Sequence, residues 1–365
     1  MAYLKLGFEV PQSRLGAKRP LAILDRVDTV ASSPQLDEQR IVHDGCGLLD
    51  RSERGKLAFS GGEAKGFLQG QVTNDVERLT PGQGCYAALL SPKGKMLGDL
   101  RILETGPELL LDTERGALQA IFNVLHRARV GFDAELHKRT LQRGLLSLVG
   151  PGARRVAGAD LPQDEHAHVV VDLDGIAARA IVTDVGIDLL CDAADTEELA
   201  AALRARGAVA VAEDAVETLR VERGRPRYGV DLDDTTIPQE AGLNERAVSF
   251  EKGCYVGQET VARLYYKGKP NRRLRGLRLS APVARDTELI LDGKPVGRLG
   301  SVVVSPTYGP IALAVVRREA EPGATLRAGE ASATVVELPF RSCPDRAPGY
   351  DDQCTGSPSK EGGAR

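Results

Sequence analysis

The chain has 365 residues, with 48 Lys plus Arg against 51 Asp plus Glu and a formal net charge of −3. At about 150 residues per domain this length predicts two to three domains with ample buried core, and 42% hydrophobic residues exclude global disorder. No apolar run nears the ~18 residues of a membrane helix, no secretory signal is expected from the first residues, and the charge excludes a generally basic nucleic-acid coat while leaving room for a local patch. A cytoplasmic location is expected.

Cys46, Cys85, Cys191, Cys254, Cys343 and Cys354 form no CxxC pair, and their spacing suits neither a disulfide framework nor a zinc ribbon. Free, mostly buried thiols are expected. His166 and His168 stand two residues apart and could share a strand face. No Cys or carboxylate follows at ligand spacing, so no metal site is assigned.

In chain order, residues 1–35 mix Pro, Ser and Gly with short apolar pieces and read as an irregular extension. Residues 36–270 read as an α+β unit. Strands are predicted at Lys56–Phe59, Tyr86–Leu90, Met96–Leu103, Leu145–Val149 and Ile187–Cys191, with Ser91-Pro92-Lys93-Gly94 turning one pair into a hairpin. Ala64, Phe67 and Leu68 mark one helix, and Leu118, Ile121, Phe122 and Leu125 a second. Asp195 with Glu198 resembles a capping box for a helix ending at Gly207, and Asp214 with Glu217 opens another that stops at Gly224. From 271 to 340 the texture becomes short β runs, including a hairpin around Asp292-Gly293, which predicts a small antiparallel barrel. Residues 341–365 carry almost no aliphatic side chains and read as a disordered tail.

Three features carry chemistry. Glu222 falls in the last turn of its helix, where the macrodipole disfavours a carboxylate by ~0.3–1 kcal/mol. A residue that breaks a local rule is either functional or excused by its neighbours, here Arg220, Arg223, Arg225 and Arg227. The segment Glu251 to Glu259 sets two glycines around an aromatic and a thiol, a composition for tight turns and close approach to a ligand. Cys254 there has Lys252 nearby and Arg263, Lys267 and Lys269 downstream, which favours the thiolate, while Glu251 and Glu259 oppose it. Finally, Arg263, Lys267, Lys269, Arg272, Arg273, Arg275 and Arg278 form a basic strip with Tyr265 and Tyr266 inside it. Such a strip suits RNA, an anionic tail or simply a solvated strand face.

KGCYVGQE (252–259), continuing into Thr260-Val261-Ala262-Arg263, resembles the signature of the YgfZ-type folate-binding proteins. FLQGQVTNDV (67–76), SPKGKMLGDLRI (91–102), LRVERGRPRYGVDL (219–232) and IPQEAGL (237–243) extend the likeness to the wider group that includes the T-protein of the glycine cleavage system. The resemblance implies an α+β fold of two intertwined antiparallel-sheet subdomains followed by a C-terminal antiparallel β-barrel. It implies tetrahydrofolate or a related folate as cofactor. For the YgfZ type it implies support of iron–sulfur cluster enzymes or cluster carriers and, through them, of tRNA modification.

By the same resemblance, Glu222 matches the glutamate that holds the pterin ring, and Tyr86 lines that cavity. Tyr255 belongs to the signature, and Lys252 and Cys254 match positions that separate the YgfZ type from the enzyme. Gln258 stands where the T-protein tends to have Arg. The T-protein has paired aspartates whose first member is catalytic, and here those positions read Gly98-Asp99. Asp99 falls one residue on, hence on the opposite strand face, unless a β-bulge intervenes. The sequence therefore points to a folate-binding accessory protein rather than an enzyme. A candidate reactive Cys254 with Lys252 lies at the cavity mouth, and Arg263, Lys267, Arg272 and Arg273 face an anionic tail or partner. The alternatives are a tetrahydrofolate-dependent aminomethyl transferase and, after it, a direct tRNA-binding factor. No membrane partner is expected.

Overall fold

The computed structural model describes residues 34–158 and 160–341. The readings for 1–33 and 342–365, with Cys343 and Cys354, lie outside them.

Along the chain, α1 (Pro34–Asp44) precedes β1 (Gly47–Asp50), β2 (Gly55–Ser60), α2 (Ala64–Gln69), β3 (Gly84–Leu90), β4 (Met96–Glu104), β5 (Leu109–Thr113), α3 (Leu118–Ala128) and β6 (Glu135–Lys138). Then follow β7 (Arg143–Val149), α4 (Ala153–Ala157), β8 (His168–Leu173), β9 (Ile176–Val182), β10 (Gly186–Asp192), α5 (Thr196–Ala205), β11 (Val209–Ala210) and α6 (Glu213–Glu222). The last stretch holds α7 (Asn244–Ala247), α8 (Gln258–Lys267), β12 (Arg272–Leu279), β13 (Glu288–Leu291), β14 (Lys294–Arg298), β15 (Val302–Ser305), β16 (Gly309–Arg317), β17 (Thr325–Ala328) and β18 (Ala331–Val336).

Two sheets build the α+β part. A five-stranded antiparallel sheet runs β3-β4-β5-β2-β6, and a six-stranded sheet runs β11-β1-β7-β10-β9-β8. Because β1 joins the second sheet before the chain lays down the whole of the first, the subdomains are intertwined as expected. The second sheet is mixed rather than purely antiparallel, since β11 returns alongside β1 in parallel. The first sheet buries Phe59, Leu100 and Ile102 against Phe67 and Leu68 of α2 and Ile121 and Leu125 of α3. The second packs Leu146, Leu148 and Leu189 against Val156 of α4 and Leu199 and Leu203 of α5. The barrel closes as β12-β18-β17-β13-β14-β16 through pairing of β12 with β16, and β15 pairs with the first half of β16 along the edge that β14 meets at Val316. Closure leaves those six strands without an open edge.

The predicted helix starts are in place, but their caps differ. Neither α5 nor α6 has a side-chain cap hydrogen bond. A 3-10 turn, Ala193–Asp195, feeds directly into α5 and leaves Asp195 in helical backbone geometry, where a capping box cannot form. At α6, Glu38 of α1 accepts the Ala212 N–H from across the structure, so a tertiary contact replaces the local one.

The signature segment continues into a helix, α8, which the basic strip had not suggested. Gly257 precedes it with φ +84°. A Cβ at Gly257 would lie 2.6 Å from the Ser91 carbonyl, and one at Gly94 (φ +74°) would lie 2.7 Å from Thr260 Cβ. The glycines therefore let the signature loop and the β3–β4 turn touch backbone to backbone. The close approach is to another turn of the same chain.

Candidate functional site

The two sheets and α6 enclose a cavity of about 200 Å³ lined by Tyr86, Asp99, Arg101, Asp112, His166, Thr183, Asp184, Arg227 and Arg246, among others. β3 and β4 supply its floor. Between the pairs Leu89–Gly98 and Leu90–Met96 the register slips by one, so Leu97 is an extra, bulged residue. Beyond the bulge, Leu100 and Ile102 point into the core with α3, whereas Asp99 and Arg101 point into the cavity.

This corrects the reading of the Gly98-Asp99 pair. A Cβ at Gly98 would sit 2.8 Å from Ile121 Cδ1 and 3.0 Å from Ala117 Cβ, inside the apolar seam under α3. A carboxylate at 98 would face hydrocarbon. Asp99 faces the cavity, so the carboxyl taken as missing is present one residue later in sequence.

Asp99 is buried and accepts a 2.6 Å hydrogen bond from the Tyr86 hydroxyl. Burial pushes its pKa up from 3.8 to about 6, although the Tyr86 hydrogen bond works in the other direction. Burial first, and then the Asp99 charge, raise the Tyr86 phenol well above its usual value, so it remains a donor. Arg246 places its guanidinium 5.2 Å from the Tyr86 ring centroid. Asn74 Nδ2 donates to the carbonyls of both Tyr86 and Arg246, which ties the two together.

The walls are ionic. Arg54 bonds Asp112 at 2.8 Å, and Arg101 bridges Asp112 at 2.8 Å and Asp188 at 2.7 Å. Ser147 donates to the other oxygen of Asp188. Arg220 reaches Asp231 at 3.0 Å, Arg225 reaches Asp184 at 2.8 Å, and Arg246 pairs with Glu165. Buried pairs of this kind hold geometry more than they add stability. His166 takes φ +70°, so it leaves the strand direction and turns into the cavity. Burial and the nearby Arg101 push its pKa down to about 3, which keeps the ring neutral. His168 instead bonds Arg179 and the Gln83 carbonyl, so the two histidines do not act together. Among the described residues, no group of three His, Cys, Asp or Glu is arranged to hold a metal.

Five polar atoms of cavity-lining residues are buried without a partner: Arg101 Nε, His166 Nδ1, Thr183 Oγ1, Arg227 Nε and Arg246 Nε. Buried polar atoms are nearly always satisfied, and these five belong to side chains that line the cavity while being themselves closed off from solvent. The Asp99, Asp184 and Glu165 carboxyls offer acceptors for a ligand's N–H groups. A pterin, with ring nitrogens, a carbonyl and N–H edges, fits a lining that mixes carboxyl and guanidinium groups. The volume lies below the ~300–1,000 Å³ of sites that enclose a drug-sized ligand and suits one ring system with the rest of the molecule outside.

Of the folate-site residues expected from the sequence, Tyr86 and Asp99 share this cavity, and Glu222, Lys252, Cys254, Tyr255 and Gln258 do not line it. Glu222 is buried at the seam between α1, α6 and the barrel, where Ser305 donates to it at 2.5 Å and His43 Nε2 lies at 3.3 Å. Its expected meeting with Tyr86 at one ring does not occur, because its face of α6 packs on β15. Lys252 is buried, and its Nζ donates to the carbonyls of Gln69, Val72 and Asn74 at 2.6–2.8 Å. Tyr255 packs with Ala88, Leu90 and Met96 in an apolar cluster. Gln258 opens α8, and Cys254 is exposed on the loop before it. Arg263, Lys267 and Arg273 are exposed, whereas Arg272 makes a bidentate pair with Glu240. Cys254, Lys252 and Gln258 therefore do not border the cavity mouth as expected.

Arg54, Arg101, Asp112 and Arg246 are not among the residues the sequence points to, and His166 enters there only beside His168 as a possible metal pair. The usable signal was a charged residue inside an otherwise apolar strand, as in Leu109-Leu110-Leu111-Asp112.

Fold and cavity together define a two-sheet unit around a polar cavity, with a barrel attached. Residues 11–252 match the GCVT N-terminal domain, and residues 272–341 match the glycine cleavage T-protein C-terminal barrel domain. The chain belongs to the glycine cleavage T-protein family. Relatives named aminomethyltransferase occur in Synechococcus sp. (strain CC9311), 30% identical over 85% of this chain and 91% of that protein, and in Rubrobacter xylanophilus, 31% identical over 83% and 85%. The crystal structure of the glycine cleavage system aminomethyltransferase T from Bartonella henselae superposes with a TM-score of 0.76 at 26% identity, covering 84% of this chain and 89% of that one. Among the described residues, no helix is long and apolar enough to cross a membrane.

Proposed function

We propose that the cavity binds the ring system of a reduced folate and that the chain is a tetrahydrofolate-dependent one-carbon transferase of aminomethyl type. Bound tetrahydrofolate would supply a nucleophilic ring nitrogen and carry the one-carbon unit. The observation that carries this reading is Asp99, a buried carboxyl aimed into the cavity whose pKa of about 6 suits proton exchange near neutral pH. Tyr86 orients it, and the paired arginines fix the walls so that little reorganisation accompanies binding. The free thiols of Cys46, Cys85, Cys191 and Cys254 accord with a cytoplasmic setting.

Tetrahydrofolate titration and single-turnover transfer test this. Asp99→Asn should bind tetrahydrofolate within about tenfold of wild type and lose ~100-fold or more in transfer rate. Transfer at the wild-type rate by Asp99→Asn, or no tetrahydrofolate binding by wild type, would overturn it.

A second reading, a folate-binding accessory protein for iron–sulfur enzymes of the YgfZ type, is favoured by one observation. Cys254, the exposed thiol among the described cysteines, stands in the segment that resembles that group. One thiol cannot hold a cluster alone, so the role would be shared with a client or carrier. Full rescue of cluster-enzyme activity in a deletion strain by Cys254→Ala would count against it.

A further inference from the structure

The structure divides the basic strip into two kinds of cation. Arg272 and Arg275 are held by Glu240 and Glu337, and Arg278 donates to the Arg341 carbonyl. The side chains of Arg263, Lys267, Lys269 and Arg273 make no ion pair or hydrogen bond among the described residues and are all exposed. Arg263, Tyr266 and Lys267 share one face of α8 by their spacing, and Lys269 and Arg273 continue from its C-terminal end. Of the nearby acids, Glu251 pairs with Arg78, and Glu259 lies in the first turn of α8 at the other end of the helix.

Two aromatic rings stand among these cations. Tyr265 lies flat on Phe250, with centroids 3.7 Å apart and planes at 16°, yet remains 48% exposed. Tyr266 stands edge-on to Tyr265 at 83° and is 67% exposed. Tyr265 is thus braced from below with the rest of its ring open, and Tyr266 is almost free. Between residues 250 and 280, these tyrosines are the only exposed large apolar side chains among the described residues. A protein-docking surface centres on a well-packed, desolvated apolar core, and among the described residues no large aliphatic side chain is exposed here to make one. Open π-faces flanked by unpaired cations are instead the composition that stacks bases and tracks phosphates.

We propose that the C-terminal half of α8 and the start of β12 bind a single-stranded nucleic acid, with bases stacked on Tyr265 and Tyr266 and phosphates on Arg263, Lys267, Lys269 and Arg273. The surface is separate from the cavity and does not depend on the folate reading.

The test is fluorescence anisotropy on the full chain with labelled oligouridylate and oligothymidylate of about twelve nucleotides, a duplex of the same length, and a poly-glutamate peptide. Four phosphate contacts predict a slope of log K against log salt of about −3, which should fall by about 0.7 in Lys267→Gln. Tyr266→Ala should weaken binding about tenfold while leaving the slope unchanged. Tyr266 is so exposed that this variant should melt with wild type, whereas Tyr265→Ala loses its packing on Phe250. Absence of salt-dependent binding, wild-type affinity in Tyr266→Ala, or equal binding of the duplex would overturn the proposal. Equal binding of poly-glutamate would overturn it too, pointing to an acidic protein instead.

Discussion

Asp99→Asn separates the site's chemistry from its architecture, because the lifted carboxyl pKa carries a signed stability cost. Asp99 ordinarily titrates at 3.8 and in the folded chain at about 6. The folded state therefore holds this proton more tightly than the unfolded one. Stability from this group is intact below pH ~4, falls as pH rises through ~4–6, and is lost above that. At 1.36 kcal/mol per unit, the full cost to wild type at neutral pH is about 3 kcal/mol. Asparagine cannot ionise, and its amide oxygen still accepts from the Tyr86 hydroxyl.

The variant should therefore gain on wild type by about 2 kcal/mol between pH 4.5 and 7.5, with the gain flattening above pH ~6. A constant offset of about 1 kcal/mol for the amide N–H groups leaves that slope untouched. With no tryptophan in the chain, urea unfolding is best followed by far-UV circular dichroism at a series of pH values. A difference between the proteins that is the same at every pH would refute both the burial argument and the assignment of Asp99 as the tuned group.

Gly98→Asp should cost ~3 kcal/mol or more in urea unfolding and give no gain in transfer, since its carboxyl would enter the Ile121 and Ala117 seam. Wild-type stability with higher activity would restore 98 as the catalytic position. Glu222→Gln should leave tetrahydrofolate affinity within about twofold by calorimetry, yet lower stability by ~1–3 kcal/mol at the Ser305 contact. The Glu222 carboxylate, 3.3 Å from Nε2, raises the His43 pKa, so the ion pair stabilises wild type below pH ~6.5 and fades as pH rises through that raised value. Unfolding curves of Glu222→Gln should lack this pH dependence. Lys252→Met leaves three carbonyls without their donor and should destabilise by about 3 kcal/mol in urea, with a normal melt refuting the cage.

The legible parts of the sequence were those whose determinants are local. Ser91-Pro92-Lys93-Gly94 announced its hairpin, the spacing of Leu118, Ile121 and Leu125 announced α3, and the evenly spaced β runs announced the barrel. The α8 helix is hidden because Val261 is its one buried anchor, too few for a periodic apolar stripe. Cavity arginines were hidden for a different reason, since their partners come from separate elements: Asp112 on β5, Asp188 on β10 and Glu165 before β8. Glu222, the last residue of α6, is unusual for the end of a helix. Its excuse is a hydroxyl and a histidine from two other elements, and no sequence spacing encodes that.

The segment 252–259 and the cavity are connected without touching. Lys252 holds the carbonyls of Gln69, Val72 and Asn74, which shapes the turn after α2. Within that turn Thr73 Oγ1 accepts the Ala88 N–H, and Asn74 Nδ2 donates to the Tyr86 carbonyl. Both contacts fasten β3 beside the residue that orients Asp99. At the other end, Gly257 lies against Ser91 and Leu90, and Leu90 marks the step where the β4 bulge begins. That bulge decides which of Gly98 and Asp99 looks into the cavity. A one-residue change of register there would exchange a carboxyl for a hydrogen atom on the cavity floor. The unusual composition of 252–259 is thus accounted for by the backbone it clamps, while Cys254, exposed and clamping nothing among the described residues, is left for a role on the surface.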